Sequence, residues 1–126
     1  MRLLLDTCIL YDWMMDTLVD RAAIELIQRS GALVSAASVW EMAIKNGLGK
    51  LPLPTHHIVD AIQDQGFGFL NITPVHAQAV LALAYHHKDP FDRLLIAQAQ
   101  CEGLRIVTYD RLIGLYLPDT MLVKTG

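Results

Sequence analysis

Residues 89–108 read DPFDRLLIAQAQCEGLRIVT, and this stretch decides the fold. An aspartate followed by proline is typical of a helix N-cap and first helical position, so Asp89 and Pro90 begin a helix. Apolar residues recur along it until Gly103, which ends the helix. Residues 104–108 are mostly apolar and predict a buried strand. A helix that leads directly into such a strand is typical of a parallel sheet covered by helices.

The same alternation of helix and strand continues on both sides of this stretch. The other predicted strands are Leu3 to Leu5, Leu33 to Ala36, Phe67 to Ile72 and an edge strand from Met121 to Lys124. The other predicted helices run from Leu18 to Arg29, from a Ser38/Glu41 capping box to Asn46, from Thr55 to Gln65 and from Thr73 to about Tyr85. We therefore predict one α/β domain over residues 1–126, with three α/β/α layers and a central, mostly parallel sheet.

Composition excludes several classes of protein. The chain has 126 residues, a hydrophobic content of 53% and a net charge of −3, which argue against disorder and against coating of nucleic acid through bulk charge. The longest apolar run, from Ala79 to Tyr85, is far shorter than the ~20 residues of a membrane span. Cys8 and Cys101 form neither a disulfide framework nor a zinc-type spacing. We expect a cytoplasmic protein without a membrane partner.

Four acidic residues fall where the strands end or the following helices begin. These are Asp6, Glu41, Asp92 and Asp110. In a parallel sheet, ligands bind outside the carboxyl ends of the strands, so we expect the four side chains to lie at one edge. Two like charges about 4 Å apart repel by about 4 kcal/mol at an effective dielectric constant of about 20. A divalent cation removes that cost.

The chemistry of these ligands favours Mg²⁺ or Mn²⁺. Both ions bind through a few carboxylates and phosphate oxygens, and they can activate water for attack on a phosphodiester. Simpler explanations exist for single residues. Glu41 could complete the capping box of Ser38, and the helix dipole could favour an acidic residue such as Asp92 in the first turn. Asp89 fits an N-cap better than a ligand. The number of ions is open.

Four segments resemble PIN-domain ribonucleases of the VapC toxin type. They are Leu4-Leu5-Asp6-Thr7, residues 38–51 from Ser38-Val39-Trp40-Glu41 to Leu48-Gly49-Lys50-Leu51, residues 87–99 around Asp89-Pro90-Phe91-Asp92-Arg93, and Val107-Thr108-Tyr109-Asp110. The resemblance implies a metal-dependent endoribonuclease, the toxin of a type II toxin–antitoxin system, which a small antitoxin protein neutralises and which pairs with itself.

The resemblance also assigns roles to residues. It places the metal-binding and catalytic acids at Asp6, Glu41, Asp92 and Asp110, with Asp89 just outside this set. An auxiliary hydroxyl matches Thr7 or Thr108, and we favour Thr7. Cys8 stands where similar toxins often carry histidine.

Several other residues are candidates for contact with RNA or with a partner. The candidates for RNA phosphates are Arg93, Lys45, Lys50, His87 and Arg111. The pair His86-His87 is also interpreted as a helix end. An apolar stripe is expected to divide between the core and a groove for an antitoxin helix; it comprises Tyr11, Trp13, Met14, Met15 and Leu18.

Two other functions stay open. An aspartyl-phosphate phosphatase or receiver domain is disfavoured, because Asp6-Thr7-Cys8 lacks a second aspartate two residues on and no acidic pair precedes it. A non-catalytic PIN-like binding module would keep the fold and use its acids only as helix caps.

Overall fold

The computed structural model describes residues 2–126; Met1, which falls within the predicted domain, lies outside the described residues. All pairings of its central sheet are parallel, and the strand order is β3-β2-β1-β4-β5. The strands are β1 Leu3–Leu5, β2 Leu33–Ser35, β3 Gly68–Leu70, β4 Arg105–Thr108 and β5 Met121–Leu122. The predicted three-layer α/β/α fold is confirmed, and the described sheet is wholly rather than mostly parallel.

Helices cover both faces of the sheet. They are α1 Thr7–Met14, α2 Arg21–Ser30, α3 Ala36–Gly47, α4 Ile58–Asp64, α5 Pro74–Ala79 and α6 Pro90–Glu102, with 3-10 turns at Val80–Ala82 and Ile113–Leu115. Side chains of β1 alternate between two apolar cores, because successive residues of a strand point to opposite faces. Leu5 belongs to the core that contains Ile27, and Leu4 belongs to the core that contains Ile96.

Helix α1 is absent from the sequence prediction. It begins directly after β1, where Asp6 is the N-cap and its side chain accepts a hydrogen bond from the Thr7 N–H. The early apolar stripe belongs mainly to this helix and packs against the core, with Met15 exposed at the end. The Trp13 ring lies edge-on to Phe67, with 5.6 Å between ring centroids. Four of the five stripe residues are therefore half-buried against the core, which leaves only part of the stripe for a partner groove.

The predicted capping box at the start of α3 is wrong. The N-cap is Ser35, whose hydroxyl accepts from the Ala37 N–H, so the helix begins three residues early. Ser38 lies inside the helix, where its hydroxyl accepts from the Thr7 hydroxyl at 2.9 Å. Glu41 is consequently in the second turn and does not cap the helix. Its burial needs another explanation.

Smaller differences concern element ends. The strand predicted from Phe67 to Ile72 is confined to β3, and the edge strand from Met121 to Lys124 to β5. Thr55 does not cap α4; its hydroxyl accepts from the His57 N–H before the helix begins. Within residues 2–126, no helix combines the length and the apolar character needed to cross a membrane.

The helix predicted from Thr73 to about Tyr85 ends at Ala79 because Arg93 holds the next residues in another conformation. The buried guanidinium of Arg93 donates hydrogen bonds to the carbonyls of Val80, Leu83, Ala84 and His87, at 3.1–3.3 Å. It also lies 4.8 Å from the centroid of the Tyr85 ring. Arg93 was a candidate for RNA contact, but its donors face the protein interior. His86-His87 is thus part of an irregular segment rather than a helix end.

We predict that Arg93→Lys lowers the free energy of unfolding by about 2 kcal/mol or more, since an ammonium cannot satisfy all four carbonyls, of which those of Leu83 and His87 are bonded in buried surroundings. Urea denaturation measures this loss. Arg29→Lys is the matched control, because Arg29 is exposed in the last turn of α2. Equal stability of the two variants would contradict the role given to Arg93.

Candidate metal centre

The four predicted acids come from separate segments that end at the carboxyl edge of the sheet. Asp6 follows β1, Asp110 lies two residues beyond β4, Asp92 is in the first turn of α6, and Glu41 is in α3. Their charges act on one another. Burial raises the pKa of Asp92 to about 8, and so do the charges of Asp6, Asp89, Glu41 and Asp110. The four acids therefore lie near enough for their charges to interact. Among the described residues, only Asp92 and Asp110 belong, with His87, to a group whose ligand atoms all lie within 4.8 Å of one another; Asp6 and Glu41 are outside that group.

Asp6 is held on both carboxylate oxygens. Oδ1 accepts from the Thr7 N–H at 2.7 Å, and Oδ2 accepts from the Thr108 hydroxyl at 2.6 Å. Burial raises the pKa of Asp6, although both hydrogen bonds oppose this shift. The Thr108 hydroxyl also accepts from the Asp110 N–H at 3.0 Å, whereas the Thr7 hydroxyl donates to Ser38. Thr108 rather than Thr7 thus supplies the hydroxyl that contacts two of the acids.

Glu41 is buried with only one of its two oxygens satisfied. Oε2 lies 2.7 Å from the Nζ atom of Lys45, one helical turn later. Oε1 has no hydrogen-bond partner among the described residues. A buried carboxylate oxygen without a donor is costly, so its environment favours a bound cation. Lys45 supplies one positive charge here, and this contact raises its own pKa.

Asp92 and Asp110 meet at one histidine. The Nε2 atom of His87 lies 2.6 Å from Asp110 Oδ2 and 2.9 Å from Asp92 Oδ2. The other oxygen of Asp110 accepts from the Leu112 N–H at 2.9 Å. His87, Asp92 and Asp110 form a group that could hold a metal ion, with ligand atoms within 4.8 Å of one another.

Asp89 is the N-cap of α6. Its Oδ1 atom accepts from the N–H groups of Phe91 and Asp92, at 2.8 and 3.1 Å. This is the structural role that the Asp-Pro pair predicts. The cap fixes the first turn of α6 and thereby the position of Asp92.

Cys8 lies beside the acids in an open cavity. The cavity measures about 310 Å³ and is lined by Thr7, Cys8, Tyr11, Asp12, Lys45, Leu51 and Tyr109. Burial and the charge of Asp6 raise the pKa of the Cys8 thiol to about 11. The thiol of the metal-free protein therefore stays protonated near neutral pH.

The remaining candidates for RNA contact are placed differently. Lys50 and Arg111 are exposed, and Lys45 is partly exposed beside Glu41. His87 is buried within the acidic cluster instead of facing solvent. The sequence alone does not reveal that position, because the contact of His87 with Asp110 joins residues that are 23 apart in the chain.

The donor set fits a hard divalent ion. The available atoms are mainly carboxylate oxygens, one of them buried without a partner among the described residues, and burial together with neighbouring acids raises the pKa values of Asp6 and Asp92. Oxygen ligands of this kind suit Mg²⁺ and Mn²⁺ better than thiophilic metals.

Comparisons with known proteins agree with this architecture. A solved structure described as a toxin–antitoxin complex from Klebsiella pneumoniae has a TM-score of 0.63 and 21% identity, with 93% of each chain covered. A domain of a functionally unknown protein from Methanocaldococcus jannaschii DSM 2661 has a TM-score of 0.60 and 15% identity, covering 99% of this chain and 92% of the other.

At these identities the similarity concerns the fold. The search of curated proteins gave no match. The family model for the PIN domain matches residues 3–114, nearly the whole chain and all four acids. The chain belongs to the PIN domain family.

Proposed function

We propose that this protein is a metal-dependent endoribonuclease that acts in the cytoplasm as the toxin of a type II toxin–antitoxin system of the VapC type. The observation that carries the proposal is that the charges of Asp6, Glu41 and Asp110 all act on Asp92, with an unsatisfied oxygen on the buried Glu41. PIN domains are generally nucleases, which supports hydrolysis of a phosphodiester. The toxin role is supported by the motifs that resemble VapC proteins.

Asp6, Asp92 and Asp110 would hold Mg²⁺ or Mn²⁺, and Glu41 would bind the ion or orient its water. When bound, the ion neutralises the acids, activates water for attack on the phosphodiester and stabilises the charge that develops on the leaving oxygen. The protein's own contribution is to hold the carboxylates still. Thr108 fixes Asp6 relative to Asp110, and the Asp89 cap fixes the turn that carries Asp92.

We propose that RNA approaches the acids from the solvent-exposed side of this sheet edge. Lys50 and Arg111 are the exposed cations proposed for phosphate contact, and Lys45 contributes the part of its side chain that solvent reaches. Apart from the four site acids, the chain has nine acidic and ten basic residues. Once the site's charge is neutralised, the rest of the chain does not repel RNA strongly.

The antitoxin would cover apolar surface next to the site. A cavity of about 380 Å³ is lined by Ala36, Val39, Trp40, Ala43, Val59, Phe69 and Asn71. Trp40 is 58% exposed, and its ring packs against Phe91, which precedes Asp92. An exposed aromatic residue in an apolar groove is typical of a protein interface. We also propose a homodimer, since two-fold pairing is the commonest oligomeric state.

We predict that Asp6→Asn and Asp92→Asn each lower the rate of RNA cleavage by about a hundredfold or more, because each removes a charged ligand without changing side-chain size. Digestion of total RNA with mapped cut ends measures the rate, and circular dichroism verifies the fold. Asp60→Asn is the matched control, since Asp60 is exposed on α4. Full activity of wild type in excess EDTA would count decisively against the mechanism.

We predict a stability that depends on divalent ions. Mg²⁺ or Mn²⁺ stabilises the wild-type fold, by about 2.7 kcal/mol when its concentration is a hundred times Kd, because it binds only the folded site. Thermal unfolding with and without the ion gives the shift in Tm. Asp92→Asn should lose most of the shift. Equal stability of wild type under both conditions would favour a non-catalytic binding module.

The metal-free protein should lose stability as the pH rises. Because burial and neighbouring acids raise the Asp92 pKa from 3.8 to about 8, the folded state binds more protons than the unfolded state between these values. In EDTA, the free energy of unfolding therefore falls across this interval, and Asp92→Asn falls less. Parallel pH profiles for wild type and variant would contradict this electrostatic coupling.

We predict that a small protein encoded by an adjacent reading frame relieves the growth arrest caused by expression of this chain. Trp40→Asp should weaken their complex, because the charge enters the apolar groove, whereas Val75→Asp serves as control at an exposed position on α5. Co-purification and growth curves measure both effects. Binding equally strong in the two variants would place the antitoxin elsewhere.

A further inference from the structure

The backbone of His87 is held at two points although it lies in an irregular segment. Its N–H donates to the Tyr116 hydroxyl at 2.9 Å, and its carbonyl accepts from Arg93 Nη1 at 3.1 Å. The residue is buried. These contacts fix the direction from which the imidazole enters the acidic cluster.

Hydrogen bonds also determine which ring nitrogen carries the proton. The Asp89 N–H donates to His87 Nδ1 at 3.1 Å, so Nδ1 is an acceptor and has no hydrogen. In a neutral imidazole the other nitrogen is then the N–H donor. Nε2 therefore bears the proton. A protonated nitrogen has no lone pair to offer a metal ion.

The Nε2–H group points at the acids. It donates to Asp110 Oδ2 at 2.6 Å, and Asp92 Oδ2 lies 2.9 Å from the same nitrogen. The two carboxylates come from different parts of the chain, the loop after β4 and the first turn of α6. One buried donor thus sets the separation of two carboxylate oxygens that would otherwise repel each other.

We propose that His87 is a positioning residue, which orients Asp110 beside Asp92 for a divalent ion by donating a hydrogen bond to Asp110, and which neither ligates that ion nor contacts RNA. This inference rests on the metal site of the proposed function. It replaces the interpretation of His87 as an RNA contact and separates its role from that of the carboxylates in the same cluster. Residues that orient metal ligands typically change metal affinity by about 10- to 100-fold when they are replaced.

The test uses Mn²⁺ as the probe and requires no RNA. Titration of the full chain, with free Mn²⁺ followed by electron paramagnetic resonance, gives the Kd. His87→Phe keeps a ring but removes the donor, and His87→Gln retains an N–H donor. His56→Phe is the matched control at an exposed position. Circular dichroism and thermal unfolding verify that each variant folds.

We expect the Kd for Mn²⁺ to rise about tenfold or more in His87→Phe, to stay within about threefold of wild type in His87→Gln, and not to change in His56→Phe. Electron spin echo modulation of wild type loaded with Mn²⁺ should show no coupling to a coordinated imidazole nitrogen. This last measurement needs no variant, so it decides between positioning and ligation even if His87→Phe does not fold.

Coupling to an imidazole nitrogen in wild type would overturn the proposal and make His87 a ligand. An unchanged Kd in folded His87→Phe would overturn it as well, as would wild type that binds no Mn²⁺. Failure of the proposed function looks different. In that case wild type would bind Mn²⁺ and His87→Phe would weaken this binding, and yet wild type would leave RNA intact.

Discussion

The hydrogen bond between Thr108 and Asp6 joins the two strands on which the candidate site depends. Parallel pairing places Leu5 opposite Val107, and the Asp6 N–H continues the ladder by donating to the Val107 carbonyl at 3.0 Å. The next residues of both strands therefore leave the sheet side by side. Because the Thr108 hydroxyl both donates to Asp6 and accepts from the Asp110 N–H, one short side chain sets the geometry of two acids.

The charges of the four acids explain why the carboxyl edge of the sheet differs from an ordinary polar surface. Buried carboxylates are stable when donors or cations neutralise them. The protein supplies partial compensation through Lys45 at Glu41, the Thr108 hydroxyl at Asp6 and the His87 N–H at Asp110. Asp92 receives the least of this compensation, which is consistent with its strongly raised pKa. The remaining imbalance is the physical basis for the proposal that a divalent ion completes the cluster.

The sequence predicted the layers and the acidic edge because both follow from local patterns. Continuous apolar runs marked the strands, and Asp89-Pro90 marked the start of α6 as the structure has it. Helix α1 was missed because Asp6 serves at once as strand end, N-cap and site residue, and residues 7–14 include poor helix formers such as Thr7 and Trp13.

Other features depend on contacts distant in the chain. The spacing of Ser38 to Glu41 matches a capping box and predicts a cap, but tertiary packing turns the Ser38 hydroxyl towards Thr7. No local pattern shows that Arg93 binds the carbonyls of a preceding segment or that His87 reaches Asp110, 23 residues away. Contacts of this kind can be seen only in the folded structure, because the residues that make them are distant in the chain.

The carbonyl contacts of Arg93 couple the candidate site to the local stability of a surface segment. Residues 80–87 contain only one short 3-10 turn, so their order depends on a guanidinium that belongs to α6. If this segment opened locally, His87 would withdraw its N–H from Asp110 while the sheet stayed intact. Opening of this segment would therefore be an equilibrium separate from global unfolding, and a substitution far from any carboxylate could shift it.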